Sequence, residues 1–178
     1  MTVRNDEAAF GIANEAELLA HAHAIEQDAV ERYRMLADQM ETHNNMELAK
    51  LFAELAGHEE KHAAEILAQA GDIELPVLKS GDFKWSDGDS PEAADLDQAH
   101  YKMTPWHALQ MALRAEQRAF AFFDHVARTA LDARMRAWAE EFREEEAEHV
   151  ELVERLLEKH PEPPEGWDED DDAPVWQD

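Results

Sequence analysis

The chain has 178 residues, with 42 Asp plus Glu against 16 Lys plus Arg and a formal net charge of −26. That length suits one domain with a substantial core, and that charge repels nucleic-acid phosphates and anionic membrane surfaces while attracting cations. The absence of cysteine excludes disulfides, zinc ribbons, iron–sulfur clusters and thiol catalysis.

In chain order, the first ten residues include Asp6 and Glu7 and hold no apolar stretch of the kind a signal peptide needs. No later apolar run approaches the ~20 residues of a membrane span, so a soluble, cytoplasmic protein is expected. Helix formers dominate from about Asn14 to Ala70. Leu18, Ala22, Ile25, Ala29, Tyr33 and Met40 recur at the three-to-four spacing of one helix face, and Leu48, Phe52, Leu55 and Ile66 form a second stripe. Between them, Thr42-His43-Asn44-Asn45 reads as a turn, with Asn44 as the expected cap of the second helix.

A Gly-, Pro- and Asp-rich stretch follows, from Gly71 to about Thr104. Thr104 and Pro105 then open a third helix with Leu109, Ala112, Phe120 and Phe123 on one face. Asp132 is the expected cap of a fourth, which buries Met135, Trp138, Phe142, Val153 and Leu156. Residues 161–178 are proline- and acid-rich, and a disordered tail is expected there. The fold expected is all-α: an antiparallel four-helix bundle over residues 1–160, made of two hairpins joined by a long crossover at about 71–104.

The fourth-helix stripe contains Glu146-x-x-His149, and the second contains Glu59-x-x-His62. Residues three apart share a helix face, so each pair can reach one metal ion. Oxygen and nitrogen donors of this kind suit iron or manganese, and zinc less exclusively. Glu26 and Glu116 interrupt the apolar faces of the first and third helices. An ionised glutamate on a core face is costly unless a cation or hydrogen bonds compensate it.

Folding each hairpin at its tip brings these residues to one height. Glu26 and Glu59 are equidistant from position 42.5, and Glu116 and Glu146 from position 131. An aromatic follows the first glutamate by seven residues in each half: Tyr33 and Phe123. The chain thus holds an internal repeat with its polar core residues in register. Four carboxylates and two neutral imidazoles carry −4, which two divalent ions neutralise; without them several carboxylates must take up protons.

As a set, Glu26, Glu59-x-x-His62, Glu116, Glu146-x-x-His149 and Tyr33 resemble the rubrerythrin branch of the ferritin-like superfamily, over about residues 14–160. The resemblance implies a ferritin-like bundle and a centre of two iron ions. Glu59 and Glu146 would bridge, Glu26 and Glu116 would be terminal, and His62 and His149 would bind one ion each. It also implies dimerisation, with helix exchange between copies common. The chain lacks the cysteines of a rubredoxin domain, so an electron donor would be a separate molecule. Ala119 and His149 stand where rubrerythrins carry further glutamates, which makes the symmetric site more similar to a bacterioferritin-type ferroxidase centre.

The activity expected is oxidation of Fe(II) by dioxygen or hydrogen peroxide. The alternatives are an iron-binding or storage component of an assembly and a metal-free helical interaction module. Tyr33 either gates or donates an electron, or is a core tyrosine bonded to a carboxylate. His23 is read as lying beside the site or at the surface, and His58 and His125 as flanking it without binding metal. His21, His43, His100, His107 and His160 fit surface or capping roles. Trp106 and Trp138 read as core residues, Asp168 to Asp172 as a solvated end, and Phe83-Lys84-Trp85 as a clip pinning the crossover to the bundle.

Overall fold

The computed structural model describes residues 11–79, 82–84 and 103–167. Four helices account for most of them: α1 (Glu15–Thr42), α2 (Met46–Ala70), α3 (Pro105–Thr129) and α4 (Ala133–Leu157). No strand occurs among the described residues. The expected all-α bundle of two hairpins is what forms. Within each hairpin the helices lie close along their length, whereas between hairpins α1 is the helix that reaches both α3 and α4.

Local chemistry sets the ends. Asn14 Oδ1 accepts from the Glu17 N–H at 2.9 Å and starts α1. At the first tip the expected cap is off by one residue. Asn44 takes a left-handed φ of 56°, and Asn45 caps α2 instead, its Oδ1 accepting from the Leu48 N–H at 3.2 Å. Asparagine tolerates the left-handed region better than most residues, so the tip spends one Asn on the turn and the next on the cap. Thr104 and Pro105 open α3 as expected, with His107 Nδ1 2.8 Å from Thr104 Oγ1. Asp132 Oδ1 accepts from the Arg134 and Met135 N–H groups, each at 2.9 Å, and starts α4.

The interior is two apolar cores with a polar layer between them. One core holds Leu18, Ile25, Ile66, Phe122, Phe123 and Phe142 near the second hairpin tip. The other holds Tyr33, Leu36, Met40, Phe52, Leu109 and Val153 near the first tip. Glu26, Glu59, Glu116 and Glu146 occupy the layer that separates them, and all four are buried.

The described part of the crossover lies against the first core through Ile73, Leu75 and Phe83. His21, expected at the surface or in a cap, is instead fully buried beneath it. Its Nδ1 lies 2.7 Å from the Glu17 carbonyl oxygen, and its Nε2 accepts from the Lys84 N–H at 3.2 Å. Phe83 meets the His21 ring edge-on at 6.1 Å. Phe83 and Lys84 do pin the crossover; Trp85 and His100 fall outside the described residues. Of the expected tail, residues 161–167 are described, and Trp167 packs on His107 with ring centroids 4.0 Å apart. Asp168 to Asp172 lie outside the described residues.

Candidate metal centre

All six expected ligands converge in the polar layer. The carboxylate of Glu59 is central: Oε2 lies 3.3 Å from His62 Nδ1, and Oε1 lies 3.5 Å from His149 Nδ1. The two imidazoles are parallel within 7°, with centroids 5.8 Å apart. Glu26 Oε2 stands 3.9 Å from His62 Nδ1, while Glu116 Oε2 and Glu146 Oε2 stand 3.4 and 3.7 Å from His149 Nδ1. Three overlapping groups offer ligand atoms within 4.8 Å of one another: Glu59, His62 and His149; Glu116, Glu146 and His149; and Glu26, His62 and Glu145.

Whether these residues suit a metal pair can be judged from their unmet valences. Both Glu59 oxygens and His62 Nδ1 are buried without a hydrogen-bond partner. A buried carboxylate left so costs free energy that a bound cation removes. Four carboxylates and two imidazoles are oxygen and nitrogen donors of the type that iron, manganese and zinc accept. The residues fit.

Two comparisons bear on what this arrangement belongs to. The rubrerythrin family model matches residues 17–82, which include Glu26, Glu59 and His62. A solved structure of an uncharacterized conserved protein from Magnetospirillum magnetotacticum MS-1 is 37% identical, with a TM-score of 0.73; the similarity covers 85% of this chain and 99% of that one. The chain belongs to the rubrerythrin family. No curated protein matches it.

Within that rubrerythrin frame, two residues of the layer were not expected from the sequence, and the first is Arg32. It is 1% exposed and places NH2 2.7 Å from Glu116 Oε1, on the other hairpin. Tyr33 OH donates to the same oxygen. Arg32 also lies 4.4 Å over the Tyr33 ring, and Phe52 stacks on that ring at 5.9 Å. Of the two readings offered for Tyr33, its contact is the one to a carboxylate. The signal for Arg32 was its position three residues after Ala29 and four before Leu36, on the buried stripe.

This cation divides the carboxylates of the metal-free protein. Burial alone would raise Glu116, but the Arg32 guanidinium and His149 pull it down to about 2. Burial pushes Glu146 up to about 8. Burial, with Glu146 and Glu59 nearby, holds Glu26 well above the usual carboxylate range. Burial would lower His149, yet the Glu116 and Glu146 carboxylates raise it to about 12. Protons and one arginine thus balance part of the buried negative charge when no metal does.

Glu145 is the second residue missed, half-buried on α4 and grouped with Glu26 and His62. Within the run Glu144-Glu145-Glu146 nothing in the sequence singles it out from a solvated face. His23 is half-buried, His58 is exposed and His125 is half-buried, and none joins a ligand group among the described residues. Trp138 Nε1 donates to Glu15 Oε1 at 2.8 Å and ties α4 to α1. Among the described residues no helix is long and apolar enough to cross a membrane.

Proposed function

We propose that the chain holds two iron ions between Glu26, Glu59, His62, Glu116, Glu146 and His149, and oxidises Fe(II) with dioxygen or hydrogen peroxide. One observation carries this reading above the others: a single buried carboxylate, Glu59, turns one oxygen to each of two parallel histidines and accepts no hydrogen bond at either. A bridging ligand between two cations needs that disposition. A metal-free interaction module has no use for it.

Two iron ions held together supply two electrons, enough to take dioxygen to hydrogen peroxide or hydrogen peroxide to water. The chain's part is to bring the ions close, to balance their charge and to limit water. Glu59 and Glu146 are read as the shared carboxylates, and Glu26 and Glu116 as ligands of one ion each. The apolar cores above and below the layer keep its polarity low, which strengthens every charge interaction inside it. Arg32 and Tyr33 are read as positioning residues, since both act through Glu116. The family resemblance supports two further parts of the reading, an external electron donor and assembly as a homodimer.

Metal analysis of anaerobically reconstituted protein should give two iron ions per chain. Stopped-flow mixing with each oxidant should show rapid oxidation that Glu59→Ala and His149→Ala reduce by at least about tenfold. Equal rates in the wild type and both variants would remove the assignment. Manganese or zinc bound in preference to iron would move it to another metal. Loading far beyond two per chain, without repeated consumption of oxidant, would instead mark a storage component.

A further inference from the structure

The internal repeat would make the two halves of the centre equivalent, yet three side chains that differ between the halves make them unequal. On the His149 side, the terminal carboxylate is fixed. Arg32 and Tyr33 both bind Glu116 Oε1, leaving Oε2 to face His149 at 3.4 Å. Both are 1% exposed; Arg32 lies over the Tyr33 ring, and Phe52 stacks on that ring. A ligand set held this way needs little reorganisation to receive an ion and gives it up slowly.

The His62 side is built differently. Among the described residues no Arg or Lys pairs with Glu26, whose Oε2 lies 3.9 Å from His62 Nδ1. The His62 side chain is 23% exposed against 15% for His149. Glu145 can bring an oxygen within 4.8 Å of ligand atoms of Glu26 and His62. It feels the charges of His62 and His149 in the centre and of Glu141 and Glu65, both solvent-exposed. The fully buried Glu59 points an unpartnered oxygen at His62 from within. Carboxylates therefore lead from the surface to this half of the centre.

Charge gives the arrangement a purpose. With Arg32 included, the four core carboxylates sum to −3, one short of neutralising two divalent ions. Glu145 supplies the missing charge only when it turns inward, and a half-buried side chain can turn either way.

We propose that the His62-side position is the exchangeable one, loaded and emptied through Glu145, whereas the Glu116, Glu146 and His149 side retains its ion. This rests on the two-metal reading above. It assigns Glu145 as a further ligand and makes the His62-side ion the one that can act as substrate.

Cobalt(II), which neither dioxygen nor the chain readily oxidises and whose visible absorption reports its ligands, is the probe. Titrated into metal-free protein, it should fill two positions of unequal affinity, and a chelator should remove one ion quickly and one slowly. Glu145→Gln should weaken the second, faster-exchanging equivalent by about tenfold or more and leave the first within twofold. His62→Ala should weaken the same equivalent, and His149→Ala the tight one. Circular dichroism checks that each variant is folded, and the half-exposed position of Glu145 makes its variant the safest of the three. Two affinities untouched by Glu145→Gln, or a loss falling on the tight equivalent, would overturn the proposal while leaving two-metal binding intact. Fewer than two cobalt ions in the wild type would overturn both.

Discussion

The two hairpins present the same ligands and surround them with different neighbours. Six and seven residues after its first glutamate, one hairpin carries Arg32 and Tyr33, and the other carries Phe122 and Phe123. All four are buried. Just before the Glu-x-x-His pair, one has the exposed His58 and the other the half-buried Glu145. The shared residues assemble a place for two cations; the residues that differ decide how its charge is distributed. Glu26 and Glu116 hold equivalent places in the repeat and yet shift in opposite directions, because Arg32 reaches across to one of them.

The sharpest test of that asymmetry is the pH dependence of the metal-free protein. Glu146, raised to about 8, and His149, raised to about 12, contribute stability that is complete below their unfolded values of 4.5 and 6.5 and is lost as pH rises through the folded ones. Glu26, also raised, acts in the same sense. Glu116, lowered to about 2, does the reverse: its contribution is present above 4.5 and is lost on acidification towards 2. Metal-free protein should therefore be most stable near pH 4.5, and should lose several kcal/mol by pH 8.5. Urea denaturation at fixed ionic strength measures this. Exposed carboxylates are already ionised at pH 5.5, so from there to pH 8.5 repulsion among them changes little. Metal-loaded protein should not show the alkaline loss, since the cations then balance the buried glutamates. An alkaline limb of equal slope with and without metal would place these glutamates outside the centre.

Next in size is the arginine itself. Arg32→Met leaves Glu116 buried and ionised without its arginine and should cost about 3–5 kcal/mol in the metal-free protein. Adding Glu116→Gln should recover part of that loss, a pattern a mere packing defect would not give. Tyr33→Phe makes the first hairpin match the second at this position. It removes one hydrogen bond to a charged oxygen that Arg32 still holds, so a smaller cost of roughly 1.5–3 kcal/mol is expected, with both metal ions retained. Full recovery of wild-type stability in Tyr33→Phe would mean that the hydroxyl contributes nothing to fixing Glu116.

The fold and the six-residue cluster were legible because they rest on period and symmetry. Apolar stripes at helical spacing gave four helices, and equal distances from two turns aligned Glu26 with Glu59 and Glu116 with Glu146. Arg32 lay on a stripe but carried a charge, and periodicity alone does not distinguish an arginine that reaches solvent from one that reaches a glutamate on another hairpin. His21 was hidden for a related reason. Its burial depends on where the crossover lies, and a segment without periodic pattern gives no such coordinate. Glu145 stood in a row of three glutamates, and only the side-chain positions separate the two that face the centre from the one that does not.

Two residues along α1 from Arg32, Arg34 supplies the smallest expected effect and the control for the largest. Arg34 pairs with Glu60 across the first hairpin, as Arg32 pairs with Glu116 across the bundle. The chemistry is the same guanidinium and carboxylate. The setting is not: the exposed side chains are 63% and 50% accessible, against 1% and 1% for the buried pair. Water already solvates both partners at the surface, so losing one strands nothing, and Arg34→Ala should change stability by no more than about 0.5 kcal/mol, less in high salt. Arg32→Met should be nearly indifferent to salt, because ions do not enter the layer where Glu116 lies. Should the two variants cost similar amounts, or respond alike to salt, Arg32 would be acting as a surface charge, and the asymmetry between the two hairpins would lose its cause.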